Sequence, residues 1–158
     1  MDTEYRWETR KDGPVFERIV AAIDSDTQRA AQVIRATQDL ALALRSEVLV
    51  AQVREVERPA VVGKPGALPP IVHFESEETA QKLIDTAVND LRQAGIKAQG
   101  QIGPGAGSTA HELLDIAQAF GADLILVGDR DSRLTDVVLG GVSHRILHLA
   151  KCPVLLVR

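Results

Sequence analysis

The sequence predicts an α/β fold: a single domain on a doubly wound, five-stranded parallel sheet with helices on both faces. Three observations lead there. Short apolar runs alternate along the chain with stretches whose apolar residues recur at helical spacing. The connections between most of them are short, which in a parallel sheet implies right-handed crossovers. The runs at 124–127 and 154–157 are continuously apolar, as strands covered on both faces are.

Residues 19–23 read as the first strand. Ala30, Val33, Ile34, Thr37, Leu40, Ala41 and Leu44 then fall on one helical face, and Ser25 with Gln28 three residues on is the expected capping box. Residues 48–53 are the second strand. The stretch 55–72 contains Pro59, Pro65, Pro69 and Pro70 with Gly63 and Gly66, which marks a loop rather than a domain boundary. The second helix places Ala80, Leu83, Ile84, Ala87, Val88, Leu91 and Ala94 on one face and stops at Gly95. Residues 96–102 alternate apolar with polar, so this third strand is expected at a sheet edge.

The turn Gly103-Pro104-Gly105-Ala106-Gly107 leads into a helix capped by Ser108 or Thr109. It lacks the Lys-Ser/Thr of a Walker A loop, so it is expected to be a flexible strand-to-helix connection. The helix it opens should bury Ala110, Leu113, Leu114, Ala117 and Phe120 and end at Gly121. The fourth strand, closed by Gly128, runs into an irregular polar segment and then Gly140-Gly141. A last helix and the strand 154–157 complete the chain.

A chain of 158 residues is long enough to bury a sizeable core without disulfides or metal. Its formal net charge of −4 offers no basic stripe for nucleic acid, and 3% aromatic residues leave few stacking platforms for single strands. The one cysteine, Cys152, beside a buried strand, reads as a small apolar core residue. No apolar run approaches membrane-spanning length, and residues 1–14 are charged and polar rather than signal-like, so a cytoplasmic protein is expected. Residues 1–14 form an expected flexible arm, with Tyr5 and Trp7 available to a partner subunit, ahead of a domain over 15–158.

From residue 122 onward the chain resembles the C-terminal half of the universal stress protein family. Nucleotide-binding members have Gly, two residues, Gly, nine residues, Gly and then Ser or Thr, followed by a Val-Ser-like pair and a Cys-Pro-Val-Leu-like last strand. Gly128, Gly140, Val142, Ser143, Cys152, Pro153, Val154 and Leu155 match. Three positions depart: Asp131 stands where the second glycine belongs, the spacer from Asp131 to Gly140 is one residue short, and Gly141 replaces the Ser or Thr. The resemblance spans residues 16 to 158 and implies the strand order 3-2-1-4-5. A ligand is then expected where the loops after the first and fourth strands part, at their carboxyl ends.

The resemblance implies that Asp24, at the family's Asp-Gly-Ser turn, contacts the base or ribose of an adenine nucleotide, ATP or AMP. Ser25-Asp26 replaces Gly-Ser, and the carboxylate suits a cap for the following turn equally well. Val53 matches a family position whose main chain meets adenine. Gly128, Arg130, Gly140, Gly141, Val142 and Ser143 complete the implied nucleotide-binding set, with the phosphates at the glycine-rich turn and the start of the last helix. Asp129 and Asp131 oppose a polyphosphate: at about 5 Å and an effective dielectric near 20, each like-charge pair costs roughly 3 kcal/mol. Only Arg130 and Arg133 turned inward would offset this. Gly141 also lacks a hydroxyl donor worth about 1 kcal/mol. ATP is therefore penalised at this loop, and a nucleotide with fewer phosphates, or another small anion, suits it.

No catalytic constellation is visible. His144 and His148, four apart, permit a metal pair but lack a third ligand, so solvent-facing histidines and no metal are expected. Ser143-His144 is no nucleophile elbow, and His111-Glu112 lacks the second histidine of a zinc-protease helix. The expectation is a non-catalytic stress-response regulator that senses adenine nucleotide. The alternative is a dimeric interaction module that has lost nucleotide binding, and an enzyme acting on bound nucleotide ranks third. A homodimer is expected through the last strand, whose apolar residues would otherwise leave an exposed backbone ladder at a sheet edge. Neither nucleic acid nor membrane is an expected partner.

Overall fold

The computed structural model describes residues 16–54, 76–129 and 141–158. Its elements are β1 (Arg18–Ala22), α1 (Thr27–Leu44), β2 (Glu47–Val53), α2 (Glu77–Gln93), β3 (Ala98–Gly103), α3 (Thr109–Phe120), β4 (Leu124–Gly128), α4 (Val142–Leu149) and β5 (Val154–Val157). The sheet has the order β3-β2-β1-β4-β5, and every neighbouring pair is parallel. Ile19 lies level with Val48 on one side and Leu124 on the other, which aligns the apolar runs of the three central strands.

Strand alternation divides the core into two layers. Ile19, Ala21, Val48, Val50, Leu124 and Leu126 face α1 and α2, meeting Val33, Ala41, Ile84 and Leu91. Val20, Ala22, Leu49, Ala51, Ile125 and Val127 face the opposite way, toward Leu113, Ile116 and Ala117 of α3 and Ile146 of α4. Both faces of the sheet are therefore covered by helices, as the continuous apolar runs require. Asp123, just before β4, receives the N–H groups of Glu17 and Arg18 at 2.8 and 3.0 Å and so ties the start of β1 to β4.

Several local expectations need correction. The N-cap of α1 is Asp26, not Ser25: its carboxylate accepts the Arg29 N–H at 2.9 Å, which satisfies one of the orphan amides of the first turn. α1 ends on Arg45 in the left-handed region (φ 57°), a place more often taken by glycine. Leu44, Leu114 and Phe120 are half-buried rather than buried, while Ile116, absent from the expected face of α3, is buried. β3 begins at Ala98, not at 96, because the Ile96 N–H still bonds the Leu91 carbonyl at the exit of α2. It is an edge strand as expected, with Gln99, Gly100 and Gln101 exposed.

The glycine-rich turn after β3 is fastened rather than free. The Gly105 and Gly107 N–H groups donate to the two carboxylate oxygens of Glu112 at 2.9 and 2.7 Å. Its backbone amides thus hold an anion, supplied by its own helix. Ser108 occupies the N-cap position without a side-chain cap bond. The expected arm at 1–14 and the proline-rich loop at 55–72 lie outside the described residues.

Candidate functional site

β1 and β4 are neighbours in the sheet, and the chain leaves them in opposite directions along it, toward β2 and toward β5. Their carboxyl ends bound the crevice in which open α/β sheets bind ligands. Asp24 stands one side of it and Gly128 the other. The carboxylate of Asp24 accepts the Asp26 N–H through Oδ1 at 3.0 Å and Arg29 Nε through Oδ2 at 2.8 Å. It therefore organises the turn into α1, the second of the two roles open to it from sequence.

Arg29 is the residue the sequence did not single out. From the first turn of α1 its guanidinium pairs with Asp24, and Nη2 lies 3.6 Å from the Asp26 carboxylate. Its stem lies over β4: a Cβ placed on Gly128 would stand 2.5 Å from Arg29 Cγ and 2.7 Å from Cδ. Glycine at 128 thus serves the approach of α1 to the end of the strand, beside any role toward a ligand. The signal was present as an acid three and five residues before a base at a helix start, Asp26 and Asp24 before Arg29.

The other wall is α4. Its N-cap position is Gly141, with no side-chain cap bond, and nothing described lies within 4 Å of the place a Cβ would take there. The first N–H groups of α4 have no partner within the helix, and its positive dipole end opens at this point. Ser143 Oγ donates to the Gly128 carbonyl at 2.8 Å, so its proton is committed to joining α4 to β4. Its backbone amide is the group left for an anion.

Asp129 points away from the crevice. Its N–H donates to the Val157 carbonyl at 2.8 Å and its carboxylate meets Arg158 Nε at 3.0 Å, at the outer strand. Part of the repulsion expected against a phosphate is removed in this way. Val53 is buried at the end of β2, with its side chain against Gly103 of β3. Asp24, Val53, Gly128, Gly141, Val142 and Ser143 thus lie at the carboxyl ends of β1, β2 and β4 and the start of α4. Arg130 and Gly140, with Asp131 and Arg133, lie outside the described residues.

Burial raises the pKa of the Cys152 thiol, and the nearby Asp123 carboxylate adds to the effect. Both disfavour the reactive thiolate. Among the described residues no three His, Cys, Asp or Glu side chains gather to hold a metal ion.

The sequence profile of the Universal stress protein family matches residues 16–158. The chain belongs to this family. It is 32% identical over 155 residues to universal stress protein YxiE of Bacillus subtilis (strain 168), an alignment covering 91% of this chain and 100% of that protein. Among solved structures, the universal stress protein from Archaeoglobus fulgidus in complex with dAMP aligns with a TM-score of 0.62 at 20% identity, covering 91% of this chain and 99% of that one. A universal stress protein in complex with cAMP aligns with a TM-score of 0.63 at 21% identity, covering 90% of this chain and 97% of that one. At such identities these two structures share the fold with this universal stress protein family member.

Proposed function

We propose that this protein is a non-catalytic stress-response regulator that binds an adenine nucleotide, AMP in preference to ATP, in the crevice between the ends of β1 and β4. The observation behind this reading is the start of α4. It has no side-chain cap, and among the described residues nothing lies within 4 Å of a Cβ at Gly141, beside the carboxyl ends of β1 and β4, in the same fold that holds dAMP and cAMP in two relatives. Asp24 supplies acceptor lone pairs beyond those used by Asp26 and Arg29, and these suit ribose hydroxyls or an adenine amine. Val53 bounds the base side. Gly128, Gly141, Val142 and Ser143 lie on the phosphate side, and the family motif adds Arg130 and Gly140 to the set. Asp131, where relatives have glycine, works against a triphosphate.

In this reading the protein acts in the cytoplasm as a homodimer joined through β5. No helix among the described residues is long and apolar enough to cross a membrane. Leu155 of β5 is 42% exposed, and Leu147 and Leu149 of α4 are similarly exposed, so the last strand and the last helix both leave apolar side chains in solvent. A dimeric interaction module without nucleotide is the second reading. It is favoured by one feature, the commitment of both the Asp24 carboxylate and the Ser143 hydroxyl to internal bonds.

Calorimetric titration with AMP and ATP, beside mass spectrometry of the denatured protein for co-purified nucleotide, separates the two. A Cβ at residue 141 meets no described atom, so Gly141→Val should fold normally while filling the mouth of the crevice, and AMP binding should be lost. Asp131→Gly should raise affinity for ATP more than for AMP, because the triphosphate has more charge to repel. Unchanged AMP affinity in Gly141→Val would move the ligand elsewhere. No binding of either nucleotide by the wild-type protein would leave the interaction module.

A further inference from the structure

The two histidines of α4 are brought together more closely than their spacing required. His144 and His148 are both exposed, yet their Nε2 atoms lie 3.0 Å apart, with the rings edge to face at 71° and their centroids 4.4 Å apart. Two exposed imidazoles have a full range of solvated rotamers. Here the same ring nitrogen of each comes within hydrogen-bond distance of the other.

We propose that His144 and His148 form a bidentate site for a divalent transition-metal ion of the copper(II) class, with water completing its coordination. At the ~2.05 Å typical of a metal–imidazole bond, a separation of 3.0 Å gives an N–metal–N angle of about 94°. That angle is the cis angle of a tetragonal or octahedral ion; a tetrahedral one would need the nitrogens roughly 3.35 Å apart at the same bond length. Imidazole nitrogen suits copper, nickel and zinc alike, but a near-right angle with oxygen donors around it favours copper(II) or nickel(II), and intrinsic affinity places copper(II) first. The cations nearest in sequence do not close the site. Arg145 follows His144 directly and so leaves the helix in another direction, and Lys151 lies beyond the helix end.

The ion would also brace the helix. α4 has eight residues with Ile146 as its buried anchor, a length at which helix formation alone is marginal. A chelate from His144 in the first turn to His148 in the last holds that turn closed. Neither ligand belongs to the proposed nucleotide set, so the metal site stands or falls independently of it.

Titration of the full chain with copper(II), nickel(II) and zinc(II) salts, followed by calorimetry, should show one ion per chain, bound most tightly for copper(II). His144→Ala and His148→Ala should each weaken copper(II) binding about tenfold or more, since the second imidazole binds at high effective concentration. His111→Ala and His73→Ala should leave it unchanged. Both ligand positions are exposed, so the variants should keep the wild-type circular dichroism in the absence of metal. Electron paramagnetic resonance of the copper(II) form should show two coupled imidazole nitrogens. Equal binding by the His144→Ala and His148→Ala variants, or a spectrum with a single imidazole nitrogen, would overturn the site and leave the pair as two histidines sharing a proton.

Discussion

Gly128→Ala tests whether Arg29 forms the floor of the crevice. The added Cβ would lie 2.5 Å from Arg29 Cγ, 2.7 Å from Arg29 Cδ and 3.3 Å from Val33 Cγ2. The first two distances cannot be tolerated, so the Arg29 stem must lift. Lifting it breaks the Nε contact to Asp24 and the longer approach to Asp26, in a side chain only 19% exposed. Overpacking of this kind costs about 1–3 kcal/mol, whereas a part-exposed ion pair alone is worth roughly 0.2–1 kcal/mol. The steric term therefore dominates.

At about 2 kcal/mol, and roughly 2–4 °C per kcal/mol for a domain of this size, Gly128→Ala should lower Tm by about 4–8 °C. Arg29→Ala removes the atoms that clash and leaves only the wider approach to Val33. The second step of a double-mutant cycle should then cost far less, with a coupling of about 0.5–3 kcal/mol. Chemical denaturation of the four proteins measures this directly. An equal cost for Gly128→Ala in both backgrounds would show that the Arg29 stem does not rest on residue 128.

Two further outcomes are expected. Leu155→Lys should convert a dimer to a folded monomer in sedimentation, by placing like charges near the two-fold axis; a monomeric wild type, or a variant that stays fully dimeric, would put the interface elsewhere. The raised pKa of Cys152, from burial and then from Asp123, keeps the thiol protonated at a pH where a free cysteine has begun to ionise. Native protein at pH 8 should therefore react with iodoacetamide several-fold more slowly than the same protein in denaturant, and equal rates would contradict the burial.

Much of the fold was legible because its signals are local. The apolar runs of β1, β2 and β4, the helical stripes of α1 and α2 and the alternation of β3 are periodicities within a few residues, imposed by which faces must leave water. The start of α1 was misplaced by one residue for an equally local reason. Ser25 and Asp26 are both good caps, and the choice between them rests on which one leaves the extended region as the helix begins.

The candidate site was legible only as a set of positions. Asp24, Gly128 and Ser143 could be named from sequence, but their hydrogen bonds depend on where α1 and α4 come to rest. Asp24 spends its carboxylate on Asp26 and Arg29, Ser143 reaches back fifteen residues to the Gly128 carbonyl, and Asp129 turns to Arg158 across twenty-nine. Likewise Glu112 fills a glycine-rich turn that by composition looked open. Composition and periodicity by themselves determined the layers of this protein, because burial selects residue types along each element. Only the tertiary structure decided which polar groups of the candidate site are spent on internal bonds. Crossovers bring together side chains far apart in the sequence, and a hydrogen bond needs both partners within about 3 Å.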